Sequence, residues 1–223
     1  MHKVLIINAK GGCGKTTIAT NLASHYAAQG KATALFDYDP QGSSLVWLKQ
    51  RPKHFPPIYG IDAQQQSPTT TLSWRLKVPP STEHIVIDTP ACLKAHELSQ
   101  YLRGVHSVLI PILPSVIDTH ATGKFIDEIL QISKINRYPV KLYLIANRVN
   151  QRTKSFQALE AFIAKRQLPV LAHLRDTVNY VHASDLGIGI HELPHRKANH
   201  DREIWNTLSA RLEEAHQQEA IIA

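Results

Sequence analysis

The chain has 223 residues, 43% of them hydrophobic and 19% charged, which is enough apolar sequence for a single domain over 1–223. Lysine and arginine outnumber aspartate and glutamate by 25 to 18, and the formal charge of +7 favours polyanions such as nucleic acid as partners. The chain has only two cysteines, which excludes a disulfide scaffold. It has no secretory signal, and no apolar run approaches the about 20 residues that span a bilayer, which excludes a membrane-spanning protein. A cytoplasmic location is therefore expected.

Apolar segments typical of buried strands alternate with helical patterns along the chain. A strand at 4–7 leads through a glycine-rich turn into a helix at 16–29, further strands are predicted at 32–36, 84–87, 107–113, 140–145 and 170–174, and further helices at 121–133, 155–166 and 200–220. The proline-rich interval 51–80 is predicted to be an irregular surface excursion with a short strand near 57–61 and a helical turn near 72–77. This alternation predicts an α/β fold with a doubly wound, mostly parallel sheet flanked by helices.

The turn after the first strand has the composition of a phosphate-binding loop. Its glycines allow backbone N–H groups to converge on phosphate oxygens, and the following helix start adds its dipole. Lys15 is predicted to reach the β and γ phosphates of ATP, and the Thr16 hydroxyl to bind Mg²⁺. The strict pattern has glycine where Ala9 stands, and a glycine-rich turn without a ligand is the alternative. The residues assigned to the nucleotide are Lys10, Gly11, Gly12, Cys13, Gly14, Lys15, Thr16 and Thr17.

Lys10 places a second lysine in this loop, and with it the run resembles the deviant Walker A loop of the ParA/MinD family of P-loop ATPases. The resemblance implies that Lys10 crosses a dimer interface to the partner subunit's nucleotide, so that ATP closes a homodimer around two nucleotides. Lys10 and Lys15 would then both stabilise charge in the transition state of ATP hydrolysis. The alternative is that Lys10 is a solvated loop lysine.

Acidic and polar residues follow three other predicted strands, at the edge where doubly wound sheets bind ligands. The run 37–42 resembles the switch I of the family, which assigns the hydrolytic water to Asp39 and support of the Mg²⁺ shell to Asp37; an ordinary turn is the alternative. Asp88 resembles the Walker B aspartate, which binds Mg²⁺ through a water. Asn147 and Arg148 match the family position near the purine, or else form a strand-end cap.

Three other patterns are set aside. The run 191–195 spells H-E-x-x-H, but Pro194 argues against the helix that a zinc site of this type needs. Cys13 and Cys92 could be cluster ligands, as in the iron–sulfur branch of the superfamily. Because Cys13 lies inside the phosphate loop, both are instead predicted to be small packing residues. The tail mixes acidic with basic residues and lacks the positive excess of a membrane-binding amphipathic helix.

The segments 174–178 and 183–187 also resemble the C-terminal part of small ParA partition ATPases. The resemblance implies a nucleoid-associated homodimer that binds DNA without sequence preference and hydrolyses ATP when a cargo-bound ParB-like or adaptor protein engages it. Since the loop begins at residue 10, no preceding helix-turn-helix is expected. Candidate DNA contacts are Arg148, Arg152, Lys154, Arg175, Arg196, Lys197 and Arg202.

Three functions remain open at this point. The first is partition of plasmid or chromosomal DNA. The second is positioning of a protein cargo, such as a chemoreceptor array or a microcompartment. The third is a small-molecule ATP-dependent ligase similar to dethiobiotin synthetase.

Overall fold

A computed structural model describes residues 1–64, 77–93 and 95–222, without the side chains at 95, 96, 195, 197 and 219–222. Its strands are β1 (His2–Ile6), β2 (Thr33–Asp37), β3 (Tyr59–Asp62), β4 (His84–Asp88), β5 (Ser107–Ile112), β6 (Lys141–Val149) and β7 (Val170–Arg175). These seven strands form one sheet in the order β3-β2-β4-β1-β5-β6-β7, and every neighbouring pair is parallel. The predicted α/β fold with a doubly wound parallel sheet is thereby confirmed.

Helices connect the strands and cover the sheet. They are α1 (Lys15–Ala28), α2 (Ser43–Gln50), α3 (Ala95–Leu102), α4 (Val116–Asn136), α5 (Lys154–Arg166), α6 (Asn179–Asp185) and α7 (His195–Ile222), with a short 3₁₀ turn at Ile190–Glu192. Within the described ranges, no helix is both long enough and apolar enough to cross a membrane.

Strand β1 shows why the sheet is buried on both faces. Val4 and Ile6 pack into one apolar cluster with α1 and α7, whereas Leu5 and Ile7 pack into a second cluster on the opposite face with α3, α4 and α5. All four side chains are fully buried, and burying each one stabilises the fold by about 1.5–3 kcal/mol. A continuous apolar run is therefore what a central strand of a parallel sheet requires.

Several helices differ from the prediction, either because they were not predicted or because they begin at another residue. Helices α2, α3 and α6 were not predicted. Helix α4 begins at Val116 rather than 121 because Ser115 caps it by accepting a hydrogen bond of 3.1 Å from the Asp118 backbone N–H. The C-terminal helix begins at His195 instead of 200 and has a non-helical residue at Ala198. The predicted helical turn at 72–77 lies almost wholly outside the described residues.

Two of the three patterns that were set aside are the run 191–195 and the two cysteines, and both lie in described residues. Leu193, just before Pro194, is extended with ψ of 154°, so 191–195 does not form the continuous helix of a zinc protease. Cys13 is buried, as predicted, but the prediction was wrong for Cys92, which is exposed in a left-handed turn with φ of 59°.

Candidate nucleotide site

The candidate site lies at the carboxyl ends of the central strands. The phosphate loop follows β1, while Asp37 and Asp88 are the last residues of β2 and β4 and are register partners in the sheet. Because all these strands are parallel, their carboxyl ends meet at one edge, and the topology brings both carboxylates beside the loop.

Two glycines give the loop its shape. Gly12 and Gly14 adopt left-handed conformations, with φ of 73° and 98°, which side chains with a Cβ rarely adopt. A Cβ at Gly14 would also collide with the side-chain amide of Asn147. Gly14 begins α1 without a side-chain cap, and the first turn of α1 carries no acidic residue. The N–H groups at this helix start can therefore bind an anion.

The two lysines of the loop are placed differently. The Lys15 side chain is buried and its Nζ donates a hydrogen bond of 3.2 Å to the carbonyl oxygen of Lys10. The Lys10 side chain is 41% exposed at the rim of the loop, where its Nζ lies 3.8 Å from Oδ1 of Asp118 on α4. An exposed ion pair at this distance is weak. Lys15 is thus directed into the loop, and Lys10 is held only loosely beside it.

Asp88 is the buried acid of the site. Its side chain is fully buried, and neither carboxylate oxygen has a partner at hydrogen-bond distance among the described residues. Burial raises the pKa of Asp88 to about 7, with a further rise from Asp37, although the nearby Thr16 hydroxyl and Lys15 ammonium act in the opposite direction. Orphaned buried oxygens beside a hydroxyl are the donor set that Mg²⁺ prefers. Thr16 and Asp88 therefore fit a Mg²⁺ ion.

Asp37 has a structural task that the sequence did not reveal. One of its oxygens accepts a hydrogen bond of 2.9 Å from the Asp39 N–H, and the other accepts bonds of 3.1 Å from the N–H groups of Ser44 and Leu45. It thereby caps α2, whose own N-cap, Gly42, has no side chain to do so. A role for Asp37 in the Mg²⁺ shell stays a prediction, and so does the water-positioning role of Asp39.

Asn147 fastens the loop to the end of β6. Its Nδ2 donates a hydrogen bond of 2.7 Å to the carbonyl oxygen of Cys13, and its Oδ1 accepts one of 3.0 Å from the Arg148 N–H. Arg148 has φ of 50°, and its side chain is exposed. Asn147 and Arg148 line a cavity of about 420 Å³ together with Thr17 and the segment 175–185. The cavity is a suitable place for a base, so contact of this pair with the purine stays a prediction.

Two polar residues that shape the site, Asn8 and Asp118, were not among the predicted site residues. Asn8 accepts a hydrogen bond of 3.1 Å from the Lys10 N–H and donates one of 2.6 Å to the carbonyl oxygen of Pro111, which links the loop to β5. Asp118 is the ion-pair partner of Lys10. Asn8 follows an apolar strand directly, and the spacing of Ser115 and Asp118 is that of a helix cap, so both signals were present in the sequence.

The candidate DNA contacts divide into two groups. Arg175 forms a two-bond ion pair with the fully buried Asp201, at 2.8 and 2.6 Å, and Arg202 donates hydrogen bonds to the carbonyl oxygens of His191 and Leu193. Both guanidinium groups therefore already serve the fold. The side chain of Lys197 lies outside the described part. The exposed candidates are Arg148, Arg152, Lys154 and Arg196.

Comparisons with known proteins show similarity in sequence and in fold. A protein from Halothiobacillus neapolitanus named for maintenance of carboxysome distribution is 30% identical over 193 residues, which cover 84% of this chain and 86% of that protein. The chromosome-partitioning ATPase Soj of Treponema pallidum is 54% identical, but over only 44 residues, or 19% of this chain and 17% of that protein. A solved complex of a Cyanothece McdA variant with ATP has the same fold, with a TM-score of 0.71 at 18% identity over 97% of this chain and 96% of that one.

Residues 4–189, which contain the loop, Asp37, Asp88 and Asn147, match the model of one protein family. Together with the long match to a relative, this shows that the chain belongs to the CobQ/CobB/MinD/ParA nucleotide-binding family, as the resemblance of its loop predicted.

Proposed function

We propose that the chain is a Mg²⁺-dependent ATPase that forms a homodimer on binding ATP and uses this switch to position a protein assembly of the carboxysome kind. The observation that carries the proposal is the different placement of the two loop lysines. Lys15 is buried against its own loop, whereas Lys10 is at the rim and 41% exposed. A lysine at the rim can reach a nucleotide held by a second copy.

The surface around the site supports a face-to-face dimer. Val116 and Ile117, next to Asp118, are 77% and 74% exposed, and Val178 and Val181, next to the cavity, are 80% and 63% exposed. Large apolar side chains exposed on two sides of one polar site are typical of an interaction surface. Closure of two copies over their nucleotides would bury these four side chains.

The chemistry follows from the residues already placed. Bound ATP would supply the phosphoryl group that is transferred to water, and bound Mg²⁺ would neutralise the charge on the phosphate oxygens. Lys15 and the N–H groups of the loop would hold the phosphates, and Thr16 and Asp88 would hold the metal. Asp39 would orient the attacking water, and Lys10 of the other copy would stabilise the charge of the transition state.

The extent of the alignment with each relative supports a protein cargo. The relative named for carboxysome distribution is covered over 86% of its length, whereas the partition ATPase Soj is covered over 17%. A protein cargo is therefore favoured over plasmid or chromosomal DNA. In this proposal DNA serves as the surface on which the ATP-bound dimer is held, through the exposed basic side chains Arg148, Arg152, Lys154 and Arg196.

Binding to random duplex DNA tests the DNA part of the proposal. With ATP, we expect an affinity that falls about 100-fold between 50 and 200 mM salt if about four phosphates are neutralised. With ADP, we expect little binding. The double variant Arg152→Glu/Lys154→Glu should lose most of the affinity, whereas Lys124→Glu on α4 is the matched control. Equal binding in ATP and ADP would contradict this part.

ATP turnover separates the possible functions. We expect the rate to rise when DNA and the protein encoded by the adjacent open reading frame are both present. A rise with a carboxylic acid or amine metabolite, without DNA or protein, would instead identify a small-molecule ligase. Stimulation by a protein that binds a DNA centromere would identify partition.

A further inference from the structure

A cluster of histidines lies at the opposite end of the sheet from the nucleotide site. His2 and His84 occupy the first positions of β1 and β4, and they are register partners in the sheet. Their side chains therefore lie side by side on the same face. His106 directly precedes β5, and its ring is 5.9 Å from that of His2. The amino ends of three adjacent strands thus each bring a histidine to one place.

The C-terminal helix completes the cluster. Glu213 and His216 on α7 are three residues apart, so they share one face of the helix. Glu213 contacts Nε2 of His84 through a carboxylate oxygen. The ring of His216 stacks on that of His2, with centroids 4.2 Å apart and an interplanar angle of 4°. The strands and the C-terminal helix, which are distant in sequence, therefore present imidazole and carboxylate groups to each other.

The polar atoms of this cluster are incompletely satisfied. His2 and His84 are only 1% and 4% exposed, yet Nδ1 of each has no hydrogen-bond partner among the residues that the structure describes. The same is true of Nδ1 of His216. Buried nitrogens without a partner are costly, so hydrogen bonds among the described residues do not fully satisfy this cluster.

The imidazoles are in the chemical form that binds metals. His2 and His84 are buried, and burial favours the neutral form of an imidazole. Neutral imidazole with an available lone pair is the form that coordinates zinc, copper or nickel.

We propose that His2, His84 and Glu213 form a binding site for Zn²⁺ or a similar divalent transition metal ion. One donor atom from each of the three lies within 4.8 Å of the others. Bonds of about 2.0–2.2 Å in a tetrahedral zinc site place ligand atoms about 3.3 Å apart, so the contact between His84 and Glu213 must widen and the longest separation must close by up to about 1.5 Å. Glu213 is partly exposed, so its carboxylate can move without repacking the core.

In this site the ion replaces the proton shared by His84 and Glu213. Two imidazoles and one carboxylate form the ligand set, and water takes the fourth position. The site is separate from the predicted Mg²⁺ site, because it lies at the amino ends of β1 and β4 rather than at their carboxyl ends. A bound ion would join α7 to the sheet, and the proposal does not depend on the proposed function.

Calorimetric titration with Zn²⁺ tests the site on the full-length chain without an affinity tag, in excess Mg²⁺ so that oxygen-rich sites are occupied. We expect one ion per chain. Glu213→Gln should weaken the affinity at least tenfold because it removes a charged ligand. Glu214→Gln, an exposed carboxylate on the next residue, should leave it unchanged. At about 100 times the dissociation constant, Zn²⁺ should raise Tm by about 5–10 °C.

Absorption of Co²⁺ in place of Zn²⁺ provides a second readout that does not depend on stability. The wild-type chain should give the intense visible bands of a tetrahedral ion, and Glu213→Gln should lose them while it keeps its circular dichroism spectrum. Binding of Zn²⁺ that is equal in Glu213→Gln and Glu214→Gln, or no binding at one ion per chain, would overturn the proposal and leave an ordinary histidine–carboxylate hydrogen bond.

Discussion

The side-chain amide of Asn147 donates a hydrogen bond of 2.7 Å to the carbonyl oxygen of Cys13, so the end of β6 holds the phosphate loop from the side. Both residues are buried. The contact explains why Gly14, next to Cys13, has no room for a Cβ, since the same amide occupies that space. The shape of the loop therefore depends on a residue more than 130 positions away in the sequence.

Removal of this hydrogen bond should loosen the loop. We expect Asn147→Ala to weaken ATP binding about tenfold and to lower the free energy of unfolding by about 1–3 kcal/mol, because the buried carbonyl of Cys13 loses its partner. Fluorescent nucleotide titration and urea unfolding measure the two effects. Asn206→Ala, at an exposed position of α7, is the control. Unchanged nucleotide affinity in Asn147→Ala would mean that the loop is shaped without this contact.

Asp39 is expected to act in hydrolysis and not in binding. Its Oδ1 accepts a hydrogen bond of 2.9 Å from the Gln41 N–H, which holds the turn after β2 at the edge of the site. Asp39→Ala should slow ATP turnover at least tenfold and prolong the ATP-bound dimer, with nucleotide affinity within about threefold of wild type. Turnover and dimer lifetime in the same preparation measure this. Turnover at the wild-type rate would remove Asp39 from the mechanism.

The fold was predictable from the sequence where local patterns decide it. The sheet was predicted from the apolar runs of β1, β4 and β5, and the phosphate site from the glycines of the loop. Side-chain contacts between elements were not predicted: the hydrogen bonds that Asp37 accepts from the start of α2 were missed, while its role in the Mg²⁺ shell stays a prediction. Arg175 looked like a free basic residue, but a buried acid 26 positions further on pairs with it.

A buried ion pair outside the site should be important for stability. Arg51 and Glu192 have side chains that are each 4% exposed, with a guanidinium nitrogen 2.6 Å from a carboxylate oxygen. Glu192→Gln leaves the Arg51 charge buried without its partner and should lower the free energy of unfolding by about 3–5 kcal/mol. Urea unfolding measures it, with Glu203→Gln as an exposed control. The double variant Arg51→Met/Glu192→Gln should recover part of the loss. A loss below about 1 kcal/mol in Glu192→Gln would show that the pair is not effectively buried.

Two other histidines should make the fold sensitive to acid. Burial lowers the pKa of both His25 and His191 from 6.5 to about 4. Glu192 opposes this shift at His25. Arg51 and Arg202 add to it at His191. The unfolded chain binds protons below pH 6.5 and the folded chain does not, so stability is complete above pH 6.5 and is lost as the pH falls toward 4.

Between pH 7.0 and 5.5 the loss should be about 1 kcal/mol for each of these two histidines. Urea unfolding of wild type and His25→Gln at both pH values measures it, because the variant removes one titrating group and keeps a polar side chain near Ser209. The exposed His120→Gln is the control. An equal fall in stability for wild type and His25→Gln would show that His25 does not titrate in this way.

The central claim is that Lys10 acts across a dimer that ATP closes, and the molar mass in solution tests it directly. With Mg²⁺ and a slowly hydrolysed ATP analogue, light scattering should give a dimer for wild type and for Lys124→Ala, a control at an exposed position of α4. Lys10→Ala should remain monomeric while its nucleotide affinity stays within about threefold of wild type, whereas Lys15→Ala should lose nucleotide binding itself. If Lys10→Ala forms the dimer as readily as wild type, the account of this site is wrong.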